Sequence, residues 1–138
     1  MYLYNVTAKE SKIEGKGVFI LESILKGSVV WKFNPETDKS ITQEEYVSLD
    51  EEGKRILEKV GYLSPLSGLW IYPSEDDLAR YTNHSIDSNN LTVVFDENIS
   101  PEAIFIANRN IDKDEELLVN YLEFDEFIKN TKPVWIQN

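Results

Sequence analysis

The sequence contains no cysteine and only one histidine, His84. Disulfide bonds, thiolate zinc sites and a cysteine nucleophile are therefore excluded, because each of them requires a thiol. One histidine cannot form a His-rich metal centre, so we expect no bound metal ion.

Long apolar runs are also absent, and residues 1–7 lack the basic segment that opens a signal peptide. We therefore expect no contact with a membrane and a cytoplasmic location. The length of 138 residues suits one domain, and an apolar share of 41% is enough for a hydrophobic core.

Positive charge is scarce. Fourteen Lys and Arg residues oppose 25 Asp and Glu residues, which gives a net charge of −11. Such a surface repels a phosphate backbone, so we expect no direct nucleic-acid binding. It attracts cationic partners, such as a basic protein or a histone-like tail. A simpler interpretation is that the acidity keeps the protein soluble; the oligomeric state stays open, a dimer included.

The apolar pattern predicts a mostly β fold of the α+β class. Thr42 followed by Glu45 has the form of a capping box, and the apolar spacing up to Gly61 predicts one or two short helices. The sequence therefore predicts a helical insert at about 34–69, and a further short helix at 124–129. Short β-branched or aromatic runs predict strands on both sides of the insert. These runs are 18–21, 29–33, 91–95, 103–107 and 116–119.

Three polar segments could carry chemistry. Gly15-Lys16-Gly17 lies between two strand-like runs, where glycine allows close approach of the backbone to a ligand. Asn83-His84 can form hydrogen bonds to the edge of a purine. An acidic turn leads into a short apolar strand that ends at Tyr121.

Each segment also has a plain structural interpretation. The glycine pair suits a hairpin turn, Asn83 suits a capped turn, and Tyr121 suits an amphipathic position at the edge of a core. A small hydrolase that uses Ser85 and His84 is a further alternative. Against it, the sequence has no Gly-x-Ser-x-Gly elbow to present the nucleophile.

The order and spacing of these segments resemble the SET-domain family of protein lysine methyltransferases. The resemblance spans 11–125, and it implies a single SET domain over 1–138 with small curved sheets and a knot-like threading near the C-terminus. The family's variable insert would be the helical stretch at about 34–69. The matching motifs are Gly15-Lys16-Gly17-Val18-Phe19, Ile24-Leu25-Lys26-Gly27, Arg80-Tyr81-Thr82-Asn83-His84-Ser85 and the run from Ala107 to Tyr121.

The resemblance also implies a cofactor, a substrate and a set of site residues. The cofactor would be S-adenosyl-L-methionine, and the methyl acceptor would be a lysine side chain of a basic protein or peptide. The backbone at Lys16 and Gly17 would contact the methionine end of the cofactor. Asn83 and His84 would hold the cofactor, largely through backbone hydrogen bonds. Tyr121 would be the catalytic residue, contacting the cofactor and orienting the amine, with water as an equal candidate for the base.

The sequence departs from the family pattern at several positions. Ile86 and Ser88 stand where many members have Cys and Pro, while Asn120 replaces an Asp and Asp114 replaces a turn Gly. The Cys-rich zinc module that follows the domain in many members is missing, so we expect the C-terminal segment at about 122–138 to close the site.

Three aromatic residues of that segment could close the lysine channel, namely Phe124, Phe127 and Trp135. We expect Trp135 to pack on the cofactor, with simple core packing as an equal alternative. Val119 lies where some members place an aromatic residue that limits the number of methyl groups, so the product stays open. The altered positions also leave a second hypothesis, a catalytically degenerate SET fold that binds a peptide or partner.

Overall fold

The computed structural model describes residues 1–137 and contains ten short strands and three α-helices within them. The strands are β1 Val6–Glu10, β2 Lys16–Ile20, β3 Val29–Lys32, β4 Lys39–Ile41, β5 Tyr62–Leu63, β6 Trp70–Tyr72, β7 Asn83–His84, β8 Leu91–Val94, β9 Ile104–Ala107 and β10 Leu118–Val119. The α-helices are α1 Gln43–Val47, α2 Glu51–Val60 and α3 Glu126–Thr131. Short 3₁₀ helices lie at Leu78–Tyr81, Tyr121–Glu123 and Val134–Gln137. No helix within residues 1–137 is long and apolar enough to cross a membrane.

The strands form four small sheets instead of one large sheet. The antiparallel sheets have the strand orders β1-β2, β3-β9-β8 and β4-β6-β5, whereas β7 and β10 form a parallel pair. Each of the five predicted strand runs overlaps an observed strand, so the mostly β fold is confirmed. The knot-like threading stays a prediction.

The main core lies around the sheet that has β9 at its centre. Ile104 is fully buried, and Phe105 stacks on Trp31 of β3 with 4.6 Å between ring centroids. Ile20 of β2 and Leu91 of β8 are also fully buried. β-branched and aromatic residues on short strands therefore form the hydrophobic base on which the polar segments are carried.

The insert contains two helices, of which the first begins at the predicted capping box and the second ends at the predicted Gly61. Thr42 accepts the N–H of Glu45 and the Glu45 carboxylate accepts the N–H of Thr42, both at 3.1 Å, so the capping box is present. Asp50 then begins α2 by accepting the N–H of Gly53 at 2.7 Å. Gly61 ends α2, and a Cβ there would lie 2.6 Å from a backbone carbonyl of β6.

The segment 34–69 is helical only in part, which corrects the prediction of a helical insert. β4 precedes the two helices and β5 follows them, and both pair with β6 in one antiparallel sheet. Strands of two or three residues are too short to show a period-two pattern, so distant pairing decides their conformation. This sheet and the helices enclose a second small core around Trp70, which packs against Tyr46 and Phe127.

The helix predicted at 124–129 is observed two residues later, as α3. Asp125 causes this shift, because its carboxylate accepts the N–H of Phe127 at 3.0 Å and so caps the first turn. The same oxygen accepts the N–H of Leu63 at 3.2 Å, which ties α3 to β5. Burial raises the pKa of Asp125 to about 6, although the backbone hydrogen bonds from Leu63, Ile128 and Phe127 oppose the shift.

The raised pKa of Asp125 predicts a pH dependence of stability. Because the folded pKa is above the unfolded one, this group's contribution is complete below about pH 4 and is lost as pH rises through about 6. The loss should be roughly 2–3 kcal/mol in the free energy of unfolding. Urea unfolding of the wild type and of Asp125→Asn across this pH range measures this loss. It is the difference between the two proteins in how steeply the free energy of unfolding changes with pH. Parallel curves would contradict the assignment.

Candidate active site

The parallel pair of β7 and β10 brings together residues that are distant in sequence. Asn83 lies opposite Leu118, and His84 lies opposite Val119. The N–H of Ser85 extends the pair by donating to the carbonyl of Val119 at 3.0 Å. The Asn-His segment therefore runs beside the strand that ends just before the predicted catalytic tyrosine.

A buried amide side chain fixes β10 from its other edge. Asn90 is 1% exposed, and its Nδ2 donates to the carbonyl of Glu116 at 2.8 Å. Its Oδ1 accepts the N–H of Leu118 at 2.9 Å. The Asn90 side chain thus replaces a neighbouring strand for two backbone groups. Sequence reasoning did not single out Asn90, because an Asn in a polar run is ordinarily interpreted as a turn residue.

Asn83 joins all three predicted segments. Its Nδ2 lies 3.1 Å from the carbonyl oxygen of Glu14, 3.0 Å from that of Lys16 and 3.0 Å from Oε2 of Glu116. An amide nitrogen has two hydrogens, so these three acceptors share them. The contacts hold the Gly-x-Gly loop, the Asn-His segment and the acidic strand in one place.

The two glycines of the loop serve different purposes. Gly15 has a φ of +46°, which favours glycine, and a Cβ there would meet nothing within 4 Å. Gly17 has no such φ, but its Cβ would lie 2.1 Å from Oε2 of Glu116. The hydroxyl of Ser11 also donates its one hydrogen to the Glu116 carboxylate, whose two oxygens lie 2.8 and 2.9 Å from it. The close approach at Gly17 is therefore required by Glu116, a contact that the sequence pattern did not reveal.

The ring of His84 has one defined tautomer. Its Nδ1 accepts the backbone N–H of Tyr121 at 2.9 Å, and its Nε2 lies 2.9 Å from the carbonyl oxygen of Ile136. An N–H can only donate and a carbonyl can only accept, so the ring carries its proton on Nε2. Burial lowers the pKa of His84, while the bond to Ile136 opposes this shift. The ring is thus neutral near neutral pH.

This arrangement excludes the hydrolase hypothesis. Both ring nitrogens of His84 are engaged with backbone groups. The hydroxyl oxygen of Ser85 accepts the N–H of Ser88 at 2.9 Å, as in a local turn. Ser85 therefore has no general base at its hydroxyl, and no serine–histidine pair exists at this position.

Tyr121 lies beside His84 as a neutral phenol. Its hydroxyl donates to the carbonyl oxygen of Thr82 at 2.6 Å, and its ring centroid is 4.9 Å from that of His84. Burial raises the pKa of Tyr121 well above its usual value, and the charges of Glu14 and Asp125 raise it further. The phenolic proton is therefore held on the oxygen, whose lone pairs can accept a hydrogen bond.

Trp135 covers the edge of this pair instead of packing in the core. Its ring meets His84 and Tyr121 edge-on, with centroid distances of 6.3 and 6.2 Å, and its side chain is 49% exposed. The bond from His84 to Ile136 holds the segment in place. The prediction of core packing for Trp135 is therefore wrong, whereas its packing on a cofactor stays a prediction.

Tyr121 also lines a cleft that runs between the main core and the insert. The cleft is narrow, with a cavity volume of about 60 Å³, and is partly open to solvent. Six of its lining residues are aromatic, and four are charged, namely Asp38, Glu58, Lys59 and Arg80. Phe124 and Val119 line it, whereas Phe127 packs on Trp70 in the second core and does not. The aromatic lining residues are Trp31, Tyr62, Tyr72, Phe105, Tyr121 and Phe124.

Two departures from the expected pattern are accommodated by the backbone. Asp114 has a φ of +77°, a conformation that glycine adopts freely and that Asp tolerates better than most residues. Asn120 caps the 3₁₀ helix of Tyr121 by accepting the N–H of Leu122 at 3.0 Å. Both replacements therefore keep the local geometry that leads to Tyr121.

The tautomer of His84 predicts that acid disrupts its contact with Tyr121, beside Trp135. Protonation would place a second ring N–H against the N–H of Tyr121. Because burial lowers the pKa of His84, the stabilisation is complete above the unfolded value of about 6.5 and is lost as pH falls through the lower folded value. Tryptophan fluorescence between about pH 7.5 and about pH 5 should therefore change through Trp135.

Two variants control this experiment. Trp135→Phe should abolish the fluorescence change, and Asp125→Asn removes a second group, whose pKa of about 6 lies in the range. An unchanged Trp135 signal in a protein that stays folded by circular dichroism would contradict the assigned tautomer.

Several solved structures have a similar fold. A candidate histone methyltransferase of Plasmodium falciparum matches with 25% identity and a TM-score of 0.58, covering 84% of this chain and 91% of that one. Polycomb Repressive Complex 2 of Chaetomium thermophilum, in an autoinhibited conformation bound to S-adenosylmethionine, matches with 29% identity and a TM-score of 0.67. Another structure of that complex, with histone H3 trimethylated at a lysine, matches with 28% identity and a TM-score of 0.63.

These matches differ in how much of each protein they cover. The two Chaetomium matches cover 94% and 86% of this chain but only 16% and 14% of the longer chains. No curated protein sequence matches significantly. A family model for the SET domain matches residues 15–122, which contain all three polar segments and every residue that lines the cleft except Phe124. The chain therefore belongs to the SET-domain family.

Proposed function

We propose that this protein transfers a methyl group from S-adenosylmethionine to the side-chain amine of a lysine in a basic protein or peptide. The observation that carries the proposal is the position of Tyr121. On one side it contacts His84 and Trp135, and on the other it lines the aromatic cleft. Membership of the SET-domain family supports methyl transfer in general.

The residues on the His84 side suit this cofactor. Gly17 has no side chain that would keep a ligand away from the loop backbone. The side-chain amide of Asn83 holds the carbonyls of Glu14 and Lys16 in place. Oxygen atoms of this kind favour a cationic group, and an exposed indole edge beside His84 offers apolar surface to a purine ring. The residues that would hold the cofactor are Lys16, Gly17, Asn83, His84, Tyr121 and Trp135.

The cofactor, when bound, supplies an electrophilic methyl group on a sulfonium. The attacking lysine amine must be neutral, although a free lysine is protonated near pH 7. The aromatic walls formed by Tyr62, Tyr72, Phe105 and Phe124 disfavour the ammonium and lower the pKa of a lysine that lies against them. The carboxylates of Asp38 and Glu58, which also line the cleft, have the opposite effect on a lysine that lies against them.

Tyr121 would orient the amine without removing its proton. Its raised pKa and its bond to Thr82 keep the hydroxyl protonated. The oxygen can still accept an N–H of the amine or a weak C–H contact from the methyl group. The amine's proton would then pass to water, and alignment of the reacting atoms would supply much of the rate.

The acidity of the chain supports a basic substrate. A net charge of −11 raises the concentration of a cationic segment near the surface. This attraction is screened beyond roughly 8 Å at physiological salt, so it guides the substrate and does not select a particular lysine.

The Tyr121→Phe variant tests the role of the hydroxyl. We expect transfer of labelled methyl from S-adenosylmethionine to a histone-like substrate to fall roughly 100-fold, since one oriented polar group at the reacting atoms is lost. Cofactor binding measured by calorimetry should stay within about twofold, because the ring and backbone remain.

Tyr2→Phe is the matched control. The hydroxyl of Tyr2 is hydrogen-bonded to Oγ1 of Thr82 at 2.6 Å, so this variant disturbs the same Thr82 without touching the site. Equal transfer by Tyr121→Phe and wild type would reject the role of Tyr121. Absence of cofactor binding by the wild type would favour a degenerate peptide-binding fold instead.

The Gly17→Ala variant tests the cofactor side. The new Cβ must displace the Glu116 carboxylate, which frees the amide of Asn83. We expect S-adenosylmethionine to bind about tenfold more weakly in calorimetry, the equivalent of one or two lost hydrogen bonds. In Gly15→Asn the side chain meets open space and Asn tolerates a positive φ, so binding should fall far less. Equal losses in both variants would mean that general loop disturbance, not Glu116, is the cause.

A further inference from the structure

Two buried polar atoms in the described part of the chain have no hydrogen-bond partner, and both residues line the aromatic cleft. They are Nε1 of Trp31 and Oδ1 of Asp38. A buried polar atom without a partner costs about 1–3 kcal/mol, so most proteins satisfy such groups. Two of them in one cleft indicate that the cleft takes a ligand with matching groups.

Trp31 offers a hydrogen-bond donor. Its side chain is 3% exposed, and its ring is fixed by stacking on Phe105. The other buried indole, Trp70, donates to Oε1 of Gln43 at 3.0 Å. An indole nitrogen can only donate, so the partner missing at Trp31 is an acceptor.

Asp38 offers a hydrogen-bond acceptor. It is 9% exposed, and its Oδ2 accepts the N–H of Asn34 at 2.8 Å, which fixes the carboxylate. No Lys or Arg side chain within residues 1–137 forms an ion pair with it. The N-terminal ammonium and the backbone N–H of Ser74 also lie near this carboxylate, but Oδ1 accepts no hydrogen bond within the usual distance.

The chemistry of the two atoms restricts the ligand to groups that carry both a donor and an acceptor. An ammonium or guanidinium has donors only and leaves Trp31 without a partner, and a carboxylate has acceptors only and is repelled by Asp38. Hydroxyls, neutral amines and amides carry both, and of these the amide is the group that a peptide segment offers at every residue. We propose that Trp31 and Asp38 form a subsite that binds an amide of the substrate segment, next to the lysine. This inference rests on the proposed function for the identity of the substrate, but not for the binding itself.

Indole N–H signals in the NMR spectrum of the whole, isotope-labelled chain test the subsite directly. The chain has three tryptophans, and Trp31→Phe identifies the signal of Trp31. Titration with acetamide should shift the Trp31 signal, while Trp70, already bonded to Gln43, and the half-exposed Trp135 report non-specific effects. Asp38→Asn replaces the free acceptor by a donor, so acetamide should bind about fivefold more weakly.

The acetamide titration of the wild type tests the subsite even if Asp38→Asn does not fold. A shift of Trp31 by methylammonium and not by acetamide would replace the amide subsite by a cation site. No selective shift of Trp31 with either probe would overturn the proposal, and would mean that buried water or nothing occupies the pair.

Two peptides distinguish the sources of the amide. Acetyl-Ala-Lys-Ala-methylamide offers main-chain amides only, and acetyl-Gln-Lys-Gln-methylamide adds side-chain amides. An equal Trp31 shift with both assigns the subsite to the main chain, and a larger shift with the second assigns it to a side chain. Because no methyl transfer is needed, an acetamide response without transfer would reject only the lysine chemistry. Transfer without that response would reject only the subsite.

Discussion

The parallel pairing of β7 with β10 is the constraint on which the rest of the site depends. Two residues in each strand make too few backbone hydrogen bonds to hold such a pair by themselves. Side-chain amides supply the remainder. Asn90 satisfies the backbone of β10 at its far edge, and Asn83 ties β7 to the glycine loop and to Glu116. The proposed site is thus assembled from neutral amides, which can bridge segments without the desolvation cost of buried ions.

Charge has opposite effects at the surface and inside the cleft. The acidic surface attracts a lysine in its ammonium form, whereas an aromatic-walled cleft disfavours that form once water is removed. The first effect is long-ranged and weakened by salt, and the second acts only after entry. Neutral His84 and neutral Tyr121 suit this sequence of events, because neither adds a charge that would hold the lysine as an ammonium.

Sequence alone predicted the elements whose signals are local. The capping box at Thr42, the glycine that ends α2 and the five apolar runs all depend on residues close in the chain. The strands β4, β5 and β7 were not predicted, because each has two or three residues and exists only through a distant partner. The order of the polar motifs indicated the family, but it could not show that Glu116 requires Gly17 to lack a side chain.

The same limit applies to the aromatic residues of the C-terminal segment. Phe124, Phe127 and Trp135 are equivalent in the sequence, yet they lie in the cleft, in the second core and at the surface beside His84. Asp125 separates the first two, because its cap on α3 turns the chain between them. Burial in one of two adjacent cores is a property of the assembled fold and leaves no local pattern.

His84 links the closure of the site to the position of Tyr121. Nδ1 accepts the backbone N–H of Tyr121, and Nε2 donates to the carbonyl of Ile136. A single imidazole thus connects the proposed catalytic residue to the C-terminal segment that carries Trp135. Donation from Nε2 to Ile136 makes Nδ1 a better acceptor, so each bond strengthens the other. The two hydrogen bonds therefore tie the position of Tyr121 to that of the C-terminal 3₁₀ helix, so loosening either one weakens the other.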